Sequence, residues 1–255
     1  QSGVATFSDT SWIYINGGGV LNNTAGGVLN LNTSNSVPIN YTASGTGTFA
    51  NEGSLNQQAA GTHSINSSVS FINTGMITLG SGILGTGSLS TAVTNLSIGG
   101  LIAGTDYGRL AVSGSATIAG TLNISLINSF IPAPGDSFAI LTSTGTSTGT
   151  FSTVTLPLIP AAVWSPSYTA NAVTLNVVAD TTPPVISATS PAANALINTS
   201  TVGYTLSEPA SAGVVTFLWT GGTVDTDHTY IFTSVDMAAG SHVVNTGISL
   251  VNGAV

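Results

Sequence analysis

The sequence predicts an all-β protein, a parallel β-solenoid followed by a smaller β-domain. Phe49-Ala-Asn-Glu-Gly-Ser-Leu and Phe71-Ile-Asn-Thr-Gly-Met-Ile write the same F-x-N-x-G-x-[Leu/Ile] pattern twice. The two copies lie about two dozen residues apart, the length of one solenoid coil. From Trp12 to about Leu101 the chain runs as short apolar bursts cut by Gly and Asn, and none keeps a helical period for three turns. Paired prolines at 183 and 184 then separate this texture from a second stretch of alternating apolar residues.

The repeat dictates how the coils pair. One coil cannot bury its own apolar side chains, so successive coils must stack. Equivalent residues then form in-register ladders, Phe49 over Phe71 and Asn51 over Asn73, along parallel strands. Loss of either Asn is expected to cost about 1 to 2 kcal/mol through an unpaired buried neighbour. A degenerate third copy precedes them at Val20-Leu-Asn-Asn-Thr-Ala-Gly-Gly-Val-Leu. Past Gly99, the stretch from Tyr107 to Leu126 reads as three alternating strands with Gly108, Gly114 and Gly120 at the corners. Leu110, Val112, Ile118, Leu122, Ile124 and Leu126 are expected inside, with Phe138, Ile140 and Phe151 covering the end of the stack. The run Thr142-Ser-Thr-Gly-Thr-Ser-Thr-Gly-Thr reads as a flexible turn.

Composition narrows the function. The chain has 255 residues and is 42 % hydrophobic, enough for a core. Only 4 % of its residues are charged, far below the usual quarter or so of a globular chain. Arg109 is the one cation, and the net charge of −8 leaves nothing to neutralise phosphates, which excludes nucleic acid as a partner. Without cysteine, stability must come from ladders and packing. No apolar run is long enough to span a bilayer, and Gln1 reads as the start of a mature or excised piece. A lysine-free chain rich in Thr, Asn, Ser and Gly fits an extracellular, bacterial-type surface protein. Asn22, Asn32, Asn40, Asn66, Asn95, Asn123 and Asn198 each open an N-x-[Ser/Thr] triplet, but this composition produces about six by chance, so glycosylation is left open.

The order of apolar and glycine positions from Asp106-Tyr through Leu110, Val112, Ile118, Gly120, Leu122, Ile124, Leu126, Phe130, Phe138, Phe151 and Tyr168 to Val173-x-Leu175-x-Val resembles a known ending. It is similar to the end of the β-helices of bacterial autotransporters and filamentous-haemagglutinin-like adhesins. The resemblance covers roughly residues 15 to 178. It implies a right-handed coil over residues 1–179 and a surface role. Asp180-Thr-Thr-Pro-Pro then forms an extended linker over 180–184. The remainder, 185–255, resembles the immunoglobulin-like modules of bacterial surface proteins, with Val202, Tyr204 and Leu206 on one face and Trp219 in the core.

No catalytic constellation stands out, and the chain reads as no enzyme. A triad needs nucleophile, base and orienting carboxylate. His63, His228 and His242 lack recognisable partners, and His63 reads as exposed or flanking a ladder. Asp9, Glu52, Asp106 and Asp136 are scattered over separate coils, with Arg109 a partner for Asp106 or Asp136. Asp225-Thr-Asp227-His228 is the densest set of metal ligands, and Ca²⁺ is the one cofactor it invites. The same residues also read as a polar loop making local turns.

An immunoglobulin-like sandwich needs about seven strands, and the second domain has room for about five. Such an incomplete sandwich exposes strand edges to another chain. Either the parent polypeptide continues and supplies the missing strands, or a second copy donates one, giving an oligomer or filament, the favoured outcome, with Leu250 and Val251 ending the open edge. The donated strand is expected from Val4 to Phe7 or from Trp12-Ile13-Tyr14-Ile15. The alternative is an adhesin that binds a glycan or a surface through loops between coils.

Overall fold

The computed structural model of the protein describes residues 2–42, 45–193, 195, 197, 199–210, 216–219 and 226–251. The chain divides into two compact units, Gln1–Ala179 and Asp180–Val255. Both are built from β-strands, and among the described residues the one helical element is a single 3₁₀ turn at Ser234–Met237.

Unit 1 is laid down coil by coil. The first coil holds β1 (Val4–Asp9), β2 (Ile13–Tyr14) and β3 (Val20–Asn23). The second holds β4 (Val28–Thr33), β5 (Ile39–Asn40) and β6 (Gly47–Asn51), and the third β7 (Ser54–Gln57), β8 (Thr62–Ser64) and β9 (Val69–Asn73). The fourth holds β10 (Met76–Leu79), β11 (Ile83–Thr86) and β12 (Leu89–Ser90), and the fifth β13 (Val93–Ile98), β14 (Arg109–Val112) and β15 (Ala116–Ile118). The sixth holds β16 (Thr121–Leu126), β17 (Ser137–Ser143) and β18 (Ser147–Gly149), and β19 (Thr153–Thr155) begins a seventh.

Strands pair across coils, not along the chain. The largest sheet runs β1-β4-β7-β10-β13-β16-β19, all parallel. A second face stacks β8-β11-β14-β17, and smaller parallel sheets β2-β5, β3-β6-β9 and β12-β15-β18 complete the turns. This all-β arrangement of parallel sheets is consistent with a β-solenoid. At its C-terminal side the pairing changes hand: β21 (Ala172–Ala179) lies antiparallel to β17, and β20 (Ala162–Tyr168) antiparallel to β21.

Alternation sets the core. On the seven-stranded sheet, Leu29, Leu55, Ile77 and Leu122 stand in register with their side chains buried, while their sequence neighbours face outward. Each such fully buried aliphatic side chain contributes about 1.5 to 3 kcal/mol. Leu110, Val112, Ile118, Leu122, Ile124, Phe138, Ile140 and Phe151 are all buried, and Leu126 is half-buried at the margin of the same core. Tyr107 packs edge-on against Phe138 at 5.4 Å, and burial pushes its phenol up from the usual range.

Coil length varies more than the sequence repeat implies. Stacked residues lie 24 apart for Thr6 and Asn30, 22 for Asn51 and Asn73, 17 for Thr78 and Asn95, and 28 for Asn95 and Asn123. Corners absorb the difference, as in the segment between β13 and β14. The Thr/Ser/Gly run after Leu141 departs from the flexible turn expected of it. Its middle forms β18, with Ala116 opposite Ser147 and Thr117 opposite Thr148, because the stacked β15 offers a ladder that offsets the glycine entropy.

Among the described residues unit 2 contains two small antiparallel sheets. β22 (Ile186–Ser190), β23 (Thr201–Leu206) and β26 (Gly240–Asn245) form one, and β24 (Thr216–Trp219) with β25 (His228–Ile231) the other. Val202, Tyr204, Leu206, Trp219 and Phe232 make its core.

Candidate functional site

Among the described residues, unpaired strand edges lie at the first coil of unit 1, at β18, β19 and β20 on its C-terminal side, and in unit 2. In the first coil, β1, β2 and β3 each form the outermost strand of their sheet. Val4 to Phe7, Trp12 and Ile13 to Ile15, expected as a free donor segment, are therefore built into unit 1. β1 pairs through Val4 opposite Val28 to Asp9 opposite Thr33, and β2 through Ile13 opposite Ile39. Parallel pairing uses alternate residues, so the backbone groups of Val4, Thr6 and Ser8 point away from β4. Val4 is 72 % exposed and Val20 65 %, and Trp12 stands edge-on to Tyr14 at 6.4 Å with both rings half-exposed. Ile15, by contrast, is buried. The inward residues Ala5, Phe7, Ile13 and Leu21 are only partly covered, whereas Leu29, Leu31, Ile39 and Phe49 one coil further on are fully buried.

Two ladders run along the stack. Inside, Phe49 lies on Phe71 with ring centroids 5.1 Å apart. Beside them Asn23 Nδ2 donates to Asn51 Oδ1 at 2.7 Å, and Asn51 Nδ2 to Asn73 Oδ1 at 2.8 Å. Each Asn also donates to a carbonyl further along the stack: Asn23 to that of Ser54, Asn51 to that of Met76, and Asn73 to that of Ser90. The chain of donors leaves Asn23 Oδ1, at the open end, buried with no donor. Outside, on the seven-stranded sheet, Asn56 donates to Asn30 and Asn30 to Thr6, and further along Asn123 donates to Asn95 and Asn95 to Thr78. Sequence reasoning missed this outer row; the signal available was Asn or Thr at the second outward place of each strand.

His63 lies in β8 opposite Leu84, so of its two expected places, exposed or flanking a ladder, the first is overturned. It is 4 % exposed, between Gln57 Nε2, 2.8 Å from its Nδ1, and the Thr33 carbonyl, 2.5 Å from its Nε2. A carbonyl can only accept, so Nε2 carries the proton and Nδ1 accepts from Gln57. The ring thus bridges two coils as a structural group. Arg109 also departs from its expected role. Asp106 accepts from the Ile102 N–H and Asp136 from the Ala133 N–H, so both carboxylates fasten loops, and Arg109 Nε finds no partner. Asp227 and His228 sit at the start of β25, while Asp225 lies outside the described residues. Among the described residues no three His, Cys, Asp or Glu side chains converge as a metal site.

In unit 2, β22 and β26 flank β23, and β24 and β25 pair only with each other among the described residues. Leu218, Ile231 and Val243 are exposed beside these edges. Leu250 packs on the unit 2 core, and Val251 is exposed. A carboxyl pair ties the start of the unit to the end of β23. The Thr182 N–H, 2.9 Å from Asp180 Oδ1, holds Asp180 below its ordinary range, and a hydrogen bond from Glu208 adds to this. Glu208 is raised in turn, first by that same bond to Asp180.

These shifts have opposite consequences for pH. Asp180 stabilises above its ordinary pKa and loses that contribution as pH falls through the lowered value. Glu208 stabilises below its ordinary pKa and loses its contribution as pH rises through the raised value. Unit 2 is therefore expected to melt higher in mild acid than at neutral pH, by a small margin because both groups are only half-buried. Glu208→Gln, which keeps a donor for Asp180, should flatten the neutral side of the profile. Trp219 fluorescence in a Trp12→Phe/Trp164→Phe background reads this transition, and an unchanged profile would remove the shared proton.

The chain matches no protein-family model. No curated protein matches it either.

Proposed function

We propose that this protein is a structural subunit of an extracellular, bacterial-type surface assembly, related to the β-helices of autotransporters and filamentous-haemagglutinin-like adhesins. In this reading unit 1 is a stiff, right-handed solenoid spacer, and unit 2 is an incomplete immunoglobulin-like sandwich that accepts a strand from another copy. The observation that carries it is the set of strand edges in unit 2. Among the described residues, small antiparallel sheets of three and two strands with exposed aliphatic side chains beside them are a template for strand addition. Head-to-tail addition of this kind propagates into a filament.

Electron microscopy of the purified chain tests the reading, with ordered filaments as the expected result. Val243→Pro should abolish them. In the antiparallel register the Val243 N–H points away from β23, so proline there blocks an incoming strand without removing a ladder bond. Filaments that survive this change, or a wild-type chain that forms none, would sink the proposal.

A second reading, an adhesin, is supported by the outer face of the seven-stranded sheet. Its central row of Thr6, Asn30, Asn56, Thr78, Asn95 and Asn123 offers uncharged donors and acceptors at each strand step of about 4.8 Å. Glycan binding by a chain that stays unassembled would favour it.

A further inference from the structure

We infer that unit 1 carries a binding groove for a neutral oligosaccharide on the outer side of the β8-β11-β14-β17 sheet. The inference does not need the assembly reading. It shares a ligand class with the adhesin reading but places that ligand on a different face of unit 1.

Register builds the groove. Ser64, Gly85, Ala111 and Thr142 stand opposite one another on successive strands and face outward, while their neighbours His63, Leu84, Leu110 and Leu141 are buried beneath. The two middle positions have almost no side chain. A groove of about 510 Å³ therefore crosses the strands from the third coil to the sixth, within the range of ligand sites. Gly85 and Ala111 make its floor, Ser64 and Thr142 its two ends, and Ser67 and Ser113 line it at the corner that follows. Three strand steps of about 4.8 Å make the floor roughly 14 Å long, a shape for a short chain and not for one compact group. Gly85 keeps it open: a Cβ there would lie 2.4 Å from Ser64 Oγ.

The lining decides the occupant. Among the described residues, the hydroxyls of Ser64, Ser67 and Thr142 have no hydrogen-bond partner within the protein. Ser113 Oγ is fixed by donating to the Thr86 carbonyl, which leaves its lone pairs for a ligand. A hydroxyl both donates and accepts, so the matching ligand is rich in groups that do the same. Charged ligands are disfavoured. Among the described residues no charged side chain lines the groove, and Arg109, two residues from Ala111, is not part of it, so an anion would be held without a counter-charge. A peptide has no anchor either. The floor strands β11 and β14 have paired neighbours on both sides, which leaves no edge for an added strand, and no aromatic ring lines the floor to hold a flat apolar ligand. A pyranose suits both parts of the surface. Its C–H face can lie on the Gly85 Cα and the Ala111 methyl while its rim of hydroxyls meets the serine and threonine hydroxyls around them.

Calorimetric titration of the full chain with neutral oligosaccharides of glucose, galactose and mannose tests the inference, with an oligogalacturonate as the charged control. The expected result is saturable binding of at least one neutral oligomer and none of the uronate. Ala111→Phe, which fills the floor from an outward position, should abolish binding. Ser64→Ala/Thr142→Ala should weaken it about tenfold or more, through the loss of two hydrogen bonds. Thr78→Val, on the seven-stranded sheet, should leave it unchanged. If Ala111→Phe lowers the melting transition, the paired alanine change decides alone. A chain that binds no neutral oligomer, binds the uronate better, or binds undiminished in the groove variants would overturn the inference. Binding lost in Thr78→Val and kept in the groove variants would move the ligand to the seven-stranded sheet, leaving the adhesin reading standing without this one. Filaments are scored separately by microscopy, so the assembly reading and the groove can fail independently.

Discussion

Gly120→Ala is expected to destabilise unit 1 by about 3 kcal/mol or more, since two independent penalties meet at one residue. Gly120 has φ +72°, where an L side chain costs on the order of 1 kcal/mol. An added Cβ would also lie 1.9 Å from the Ala92 carbonyl oxygen of the coil beneath. That oxygen cannot retreat, because it accepts from the Thr121 N–H at 2.7 Å. Gly120 is held from the other side as well, its own carbonyl accepting from Ser152 N–H and Oγ. The spacing of about 4.8 Å between stacked strands leaves no slack to share.

Two other glycines separate the penalties. Gly26 has φ +82° with nothing within 4 Å of an added Cβ, so Gly26→Ala should cost only the backbone term, about 1 kcal/mol. Gly47 has no positive φ but would place its Cβ 2.1 Å from the Ile15 carbonyl, so Gly47→Ala isolates the clash. Urea midpoints of the three variants check the order. If Gly120→Ala is as mild as Gly26→Ala, the coils are not packed as tightly at this corner as described.

The parts of the fold that were legible in the sequence are those where adjacent coils repeat the same residues at nearly the same length. Phe49 over Phe71 and Asn51 over Asn73 could be read because the seven residues around them keep one order and lie 22 apart. The Asn23 rung was obscured: Leu21 stands where the next coils have Phe, and 28 residues separate Asn23 from Asn51. The outer row was hidden for the same reason, with Thr78 interrupting the asparagines and intervals of 26, 17 and 28 between stacked residues. Burial of His63 could not be read locally at all. Its partners come from two different coils, Gln57 six residues away and Thr33 thirty, and a polar side chain looks exposed until both are in place. Strand edges in unit 2 could be expected only from the number of strands that fit, since local pattern does not encode what fails to pair.

Asn51→Ala should cost about 2 to 4 kcal/mol, more than the same change at Asn73, and the reason is its place in the middle of the ladder. Asn51 is fully buried and carries three hydrogen bonds: one accepted from Asn23, one donated to Asn73 and one to the Met76 carbonyl. Truncation leaves Asn73 Oδ1 without its donor and opens a cavity beside the stacked Phe49 and Phe71 rings. Asn73→Ala removes the acceptor at the end of the row, and Asn51 keeps its bonds to Asn23 and Met76. The ladder polarises in one direction, each amide donating to the next oxygen, so the rungs are coupled and not independent. The double variant Asn51→Ala/Asn73→Ala should therefore cost less than the two single changes added together, because the oxygen orphaned by the first is deleted by the second. Asn51→Asp tests the same point by a different route. It preserves shape but replaces the donor with an acceptor, facing Asn73 Oδ1 oxygen to oxygen in a buried site, and should be more damaging than alanine at neutral pH and milder in acid, where the carboxyl can donate. Denaturant titrations of the four variants measure these differences. Strict additivity of the alanine changes, or an Asp variant insensitive to pH, would mean that the asparagines stack without acting as one hydrogen-bonded column.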